Sequence, residues 1–531
     1  MTALRAPGRW AAVFAALGVV VLTLWLLDAF ARMQFTHHLR DEAAHALALA
    51  ARGETPYRWT LRTLDDLVGA RIFGASNYTA GADGLVIESD GKPFEIGLRM
   101  SRPIPLDELG VLELDANVDG AARAQLIVRE HLGGEEISSD AFDIRANAAT
   151  IVRLDERSWQ DARDGHRGAP QAAAMLRLRF TLTQGSGFKL RNVVFGWPSA
   201  RPRLDITSAP DIVDLPSAAA SSRLRAYLLA EKHEARVAQL AAIARADAGA
   251  PPIIVMPSDA RVEQQMAWRK AVYSALPDAI IVPGNGIAET MAQARREAAD
   301  GSQMRPHPTL HWISVLLFAL VLLLARLHPP ANARLRALCE VLLTLAGPAW
   351  LILGGYFDGN VHKPFVAVMI ATFLYAVSLS VPRTWRWNGS ARAWALALGV
   401  VGIAALIGLW FHRADTALNP IPLKQIVRYF GWALLQQYLL CAVCTERWRT
   451  ATGNDSLAVY LGALGFALLH NPNAALMIAT FFGGLFWCAL YLRERSLLPL
   501  AVSHALSALT LLALTPRDVL HSAEVSVRFF F

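Results

Sequence analysis

Nine apolar runs, each near the length needed to cross a hydrocarbon core of about 30 Å, constrain this chain more than any other feature. They cover residues 10–30, 310–327, 335–356, 365–381, 393–411, 426–443, 457–470, 474–492 and 497–514. One stands alone and eight follow together. The pattern predicts one N-terminal anchor helix and a multi-pass α-helical membrane bundle of about eight helices. The run at 457–470 is short, so a tilted or partly protein-buried helix is expected there. Composition agrees: 54% hydrophobic and 18% charged residues make a 531-residue chain too apolar for an ordinary soluble protein.

The first run could be a cleaved signal peptide, since Arg5 and Arg9 precede it. It is long for that role, and Asp28-Ala-Phe-Ala-Arg32 is a poor small-residue cleavage site, so an uncleaved signal anchor is expected. The net charge of +7 suggests nucleic acid until its distribution is read. With the N-terminus in the cytoplasm, Arg326, Arg334, Arg336, Arg383, Arg386, Arg392, Arg447, Arg449, Arg493 and Arg495 all fall in short cytoplasmic loops. The opposite short loops carry chiefly Lys363, Arg413 and Lys424. This is the positive-inside pattern. It predicts a bacterial-type inner membrane protein whose basic residues orient it in the lipid bilayer, with no nucleic-acid partner and with residues 33–306 periplasmic or otherwise extracytoplasmic. That region has no cysteine, so disulfides do not staple it. Cys339, Cys441, Cys444 and Cys488 lie in or beside membrane helices. Cys441-x-x-Cys444 could be a redox or metal pair; a pair of small apolar helix residues is the stronger reading.

Between residues 84 and 197, seven short runs alternate apolar and polar residues: 84–88, 94–99, 111–118, 124–130, 150–154, 176–182 and 191–197. They predict an antiparallel β-sandwich. In outline it is similar to jelly-roll modules that often bind carbohydrate, which makes a glycan a candidate partner. Trp159 and Trp197 could stack on a sugar ring, but core aromatics are the expected reading. Residues 223–245 read as a helix, and 252–257 and 279–284 as short strands around another helix, so a small α/β unit follows. Gly284-Asn-Gly286 lacks the spacing of a phosphate loop and reads as a turn. Residues 205–222 read as a linker. The expected organisation is an anchor helix at 1–32, a β-sandwich at 33–205, the α/β unit with its linker at 206–306 and the helical domain at 307–531.

Within the last domain, Gln436, Gln437, His470 and His504 bring polar groups to membrane depth on three apolar segments. An ionisable residue there is costly and marks a functional site by default. Around them the order of residues is distinctive. Phe466-x-x-x-His470 is followed by Gly483-Gly484, then Tyr491-Leu-Arg-Glu-Arg-Ser496, Pro499 and His504-Ala505. This segment resembles the signature of the CAAX-protease and bacteriocin-processing (CPBP) intramembrane peptidases. The resemblance is close over 431–512 and extends to the preceding helices only in number.

In that family the first motif is Glu-Glu-x-x-x-Arg, and a glutamate is thought to take a proton from the water that attacks a peptide carbonyl. The matching residues here are Gln436, Gln437 and Cys441, and the last motif ends in Ala508. A carboxylate can act as a general base; a neutral amide cannot. His470 and His504 are candidate ligands of a divalent metal such as zinc, yet catalytic zinc usually has three protein ligands, so no cofactor is firmly implied. Three readings stay open. The first is a divergent peptidase or processing enzyme acting on a membrane-associated or exported protein, with Cys441 as a nucleophile activated by a histidine. The second is a catalytically inactive relative that binds or scaffolds such a partner. The third is a structural role for the histidines. Glu446 is expected to be an interfacial charge, Glu340 to snorkel, and His521 and the tail at 529–531 to rest on the outer interface.

Overall fold

The computed structural model describes residues 9–530 except 69–70, 76, 101, 131–134, 147, 162–164, 198–202, 215–223, 247–249, 301–307, 355–362, 380–385, 413–420, 422 and 521–523. Arg5, Arg383, Arg413, His521 and Phe531 therefore lie outside the described residues, as does part of the expected linker. Among the described residues each apolar run is helical over most of its length, because a backbone in lipid must satisfy its own hydrogen bonds. Among the described residues five helical segments are long and apolar enough to cross a membrane: Val13–Arg52, Ala333–Leu353, Ala391–Phe411, Ile426–Thr452 and Ala474–Glu494. Four apolar helices are shorter, Asp455–Leu468 among them.

The first helix, α1 (Arg9–Arg52), runs well past the apolar stretch at 10–30. Its second half is rich in alanine, and Ala43, Ala44, Leu47 and Ala48 are buried against the α/β unit. A parallel sheet needs a helical cover on its faces, and this half of α1 supplies one.

The β-rich region is a sandwich of two antiparallel sheets. In one, Met175–Leu182 pairs with both Ala122–Arg129 and Phe94–Leu98. In the other, Gly187–Gly196 pairs with Val111–Val118 and Gly84–Glu88. Strict alternation drives this arrangement: every second residue of Met175–Leu182 is buried, and each such Leu or Phe contributes roughly 1.5–3 kcal/mol. The rings of Phe94, Phe180 and Phe188 fill the centre, with centroids 4.9–6.0 Å apart. A single turn, α2 (Leu106–Leu109), interrupts the strands. Trp159 belongs to this core at 2% exposure, as expected of a core aromatic.

The α/β unit is a four-stranded parallel sheet in the order Asp211–Val213, Arg225–Leu228, Ile253–Met256, Ile280–Pro283. The expected helix over 223–245 is split. Arg225–Leu228 is a strand between two parallel neighbours, and only His233–Arg245 (α3) is helical. Sheet pairing here overrides a local composition that favours helix. Helices α4 (Val262–Ala275) and α5 (Ile287–Asp300) complete the unit. The sandwich docks on it through Arg102, which lies over the rings of Tyr57 and Tyr273 and donates to the Ala279 carbonyl at 3.2 Å.

The bundle comprises α6 (Pro308–Leu327), α7 (Ala333–Leu353), α8 (Lys363–Leu379), α9 (Ala391–Phe411), α10 (Leu423–Gln437), α11 (Glu446–Thr452), α12 (Asp455–Leu468), α13 (Ala474–Glu494) and α14 (Leu498–Leu514). A π-helical stretch, Tyr438–Thr445, joins α10 to α11 in one continuous rod. The α/β unit sits on the end of the bundle where α12 finishes and α13 begins. Glu263 of α4 accepts the Ala475 amide at 2.8 Å, a carboxylate at the positive end of α13. The C-terminal tail is not at a lipid interface as expected. Phe529 is fully buried, and Phe530 stacks on His38 of α1 at 3.7 Å.

One guanidinium holds these parts together. Arg269 of α4 pairs with Glu42 of α1 at 3.0 Å and donates to the Phe530 carbonyl at 2.8 Å. Its side chain is 7% exposed. Breaking a buried pair on one side leaves an uncompensated charge, so Arg269→Met is expected to cost about 3–5 kcal/mol. Thermal unfolding of the purified protein measures this, and the tail should become cleavable by added protease. Adding Glu42→Gln to Arg269→Met should recover much of the loss.

Candidate functional site

The site is built where α10, α12, α13 and α14 meet. Gln437 is the last residue of α10 and is fully buried. Its Nε2 lies 3.2 Å from Nδ1 of His504 on α14, and its Oε1 accepts the Cys441 thiol at 3.2 Å. Both ends of the amide are thus engaged. An amide nitrogen only donates, so Nδ1 of His504 accepts, and the neutral ring carries its proton on Nε2. His504 is 4% exposed and tilts against Trp487, ring centroids 4.6 Å apart. Trp487 in turn donates to Ser503, whose hydroxyl donates to the Ala397 carbonyl of α9. This chain sets the face that α14 turns toward Gln437.

His470 is not inside its apolar helix. It sits in the turn after α12, at the bundle end that carries the α/β unit. Its Nδ1 lies 2.7 Å from the Phe466 carbonyl. A carbonyl only accepts, so this ring is protonated on Nδ1 and presents Nε2 as an acceptor. The two histidines therefore hold opposite tautomers. The Phe466 ring touches both, with centroids 4.7 Å from His470 and 5.6 Å from His504. His470 and His504 are thereby gathered around one aromatic ring, and Gln437 is tied to that ring through His504. Gln436, beside Gln437 in sequence, is half-buried and hydrogen-bonds to neither histidine among the described residues.

Cys441 is fully buried in the π-helical stretch. Its thiol reaches an amide and neither imidazole. A thiol needs a nearby base to become a nucleophile, and the geometry interposes Gln437 between Cys441 and His504. Cys444 and Cys488 are buried beside it, with the Thr445 hydroxyl donating to the Cys488 sulfur at 3.2 Å. The same Thr445 hydroxyl lies 2.8 Å from the Leu440 carbonyl, so its one proton is shared between that oxygen and the sulfur. Among the described residues no three His, Cys, Asp or Glu side chains converge as metal ligands. Two imidazoles are one ligand short of the usual three-ligand zinc centre, and the Nε2 that His504 would offer carries the ring's proton.

The carboxylates lie elsewhere. Glu446 is ion-paired with Arg495, and Glu340, expected to snorkel, is paired with Arg447 at 3.0 Å with both side chains under 20% exposed. These pairs link α11 to the turn after α13 and to α7, at the end of the bundle opposite the α/β unit. Sequence reasoning missed Phe466, Ser503 and Trp487 as parts of the site. Phe466 had a motif signal; Ser503 and Trp487 had none beyond their neighbours.

Replacing Gln437 strands two buried polar groups at once. Gln437→Leu is expected to lower stability by about 1–3 kcal/mol, whereas Gln436→Leu should stay within about 0.5 kcal/mol. Thermal unfolding of the two variants side by side tests the distinction.

No curated protein matches this chain. Residues 425–510, which carry Gln436, Gln437, Cys441 and both histidines, match the family described as type II CAAX prenyl endopeptidase Rce1-like, so the C-terminal region of this membrane protein is similar to the CPBP peptidases.

Proposed function

We propose that this chain uses a CPBP-type bundle to hold a membrane-associated protein segment without cutting it by the glutamate route. One observation carries the reading. The position of the family's general base is occupied by an amide, Gln437, whose two ends are spent on Cys441 and His504. A bridging amide cannot relay a proton as a carboxylate does. What the site offers instead is one ring-nitrogen acceptor, Nε2 of His470, and one ring N–H donor, Nε2 of His504. A peptide group presents the complement of that pair, one N–H and one C=O. The proposed partner is a membrane-associated or exported protein.

The topology belongs to the same proposal. The positive-inside distribution supports a bacterial-type inner membrane, a cytoplasmic N-terminus, and an extracytoplasmic sandwich and α/β unit that position the partner. A second reading, a divergent thiol peptidase, draws on Cys441 standing one helical turn from Gln437 with two histidines nearby.

Two experiments separate them. New protein termini in the membrane proteome are compared among cells carrying wild type, Cys441→Ala, His470→Ala and His504→Ala at matched expression. The binding reading expects no terminus to depend on any of the three. A photo-crosslinking residue at position 436 should meanwhile trap the same membrane protein in wild type, with the yield falling several-fold in His504→Ala. A terminus lost in all three variants would overturn the binding reading and establish thiol hydrolysis.

A further inference from the structure

The parallel sheet of the α/β unit ends at a cavity of about 540 Å³ beside α1. Ser258 follows the strand Ile253–Met256 and Asn285 follows Ile280–Pro283, so both stand at the carboxyl ends of parallel strands. Open α/β sheets bind their ligands there. Across the cavity, α1 contributes Arg32, His37 and Arg40. The cavity is therefore cationic on one wall and hydrogen-bonding on the other.

Its charges are poorly balanced from within the protein. Arg32 is shared between Asp28 at 3.1 Å and the Asp259 carbonyl at 2.8 Å. His37 pairs only with solvent-exposed Asp41, at 3.6 Å. Arg40 has no carboxylate partner among the described residues, and the Nε atoms of both Arg32 and Arg40 are buried without an acceptor. Burying donors of this kind is costly unless an acceptor comes to them. Gly286 makes the placement of Arg40 possible, because a Cβ there would stand 2.8 Å from its Nη2. The guanidinium thus lies against the Gly284–Gly286 turn, from which α5 starts at Ile287. The first amides of this 14-residue helix and its dipole add to the same positive field.

We propose that this cavity binds a phosphate-bearing anion, gripped by Arg40 and Arg32 and seated on the Asn285 turn. A guanidinium fork matches phosphate oxygens in geometry as well as charge. The position favours a lipid headgroup as its source. The cavity begins at Ala29 and Met33, where the apolar run of α1 ends, and Met33 is 56% exposed. A phospholipid can place its phosphate here while its acyl chains remain beside the apolar half of α1. A soluble phosphate ester would offer the same chemistry without that match.

The test uses the full-length protein in phosphatidylcholine nanodiscs with and without phosphatidylglycerol. Native mass spectrometry then counts retained lipid for wild type, Arg40→Gln and Asn285→Asp. Asn285 is exposed, so its substitution adds a negative charge to the site without disturbing the core. Both variants are expected to lose phosphatidylglycerol affinity by roughly tenfold, while Arg153→Gln on the sandwich keeps it. In a second arm, inorganic phosphate replaces chloride at matched ionic strength during thermal unfolding. A phosphate-dependent rise in Tm for wild type but not for the two variants, with no phosphatidylglycerol preference, supports the site and assigns it to a soluble phosphate. If neither probe separates wild type from both variants, the proposal is overturned.

Discussion

The ion pair between Arg269 and Glu42 is the interaction on which the arrangement of this molecule depends. It is buried, it joins α4 to α1, and the same guanidinium holds the backbone of the C-terminal tail. Without it, among the described residues, α4 and α1 would keep only the long hydrogen bond from the Tyr273 hydroxyl to Glu42 beside their apolar contacts. Such contact is strong but not directional. The charged contact fixes their register, a use of buried ion pairs that their modest net stability does not exclude.

This clamp bears on the site below it. The tail's Ser526 amide donates to the Asn471 carbonyl, and Asn473 donates to the Leu520 carbonyl. Both asparagines belong to the turn that holds His470. The position of His470 is thus set from above by the tail and from below by Phe466. His504 is set separately, by Gln437 and by the ring of Trp487. Two independent supports keep both imidazoles against one phenyl ring.

Much of this was legible in the residues. The apolar runs marked the helices, and alternation marked the long strands, some of them to the residue. Both signals are strong because burial acts at every position of a long element. Gln437 and His504 were legible as polar groups inside apolar helices, whereas His470, legible on the same ground, stands in the turn after α12. Other features had no such signal. Arg225–Leu228 is too short for its period to be read, and only its parallel neighbours make it a strand. The π-helical stretch at Tyr438–Thr445 is a matter of backbone register, which side-chain pattern does not report. The burial of Phe529 and Phe530 depends on His38 and Arg269, hundreds of residues away. The second half of α1 looked like the start of a soluble domain because it stops being apolar. It remains a helix because a sheet covers its alanines.

That last feature has a mechanical consequence. At about 1.5 Å per residue, the 44 residues of α1 form a rod of about 66 Å, of which the hydrocarbon takes about 30 Å. No break separates the part in lipid from the part packed on the sheet. The α/β unit therefore has no hinge toward the membrane along this helix. Any torque applied to the sheet is carried along α1 into its apolar half. That half packs on α12 and α13 through Leu27, Ala31 and Phe35, and Thr23 shares a hydrogen bond with Tyr460 of α12, the same helix whose end carries Phe466.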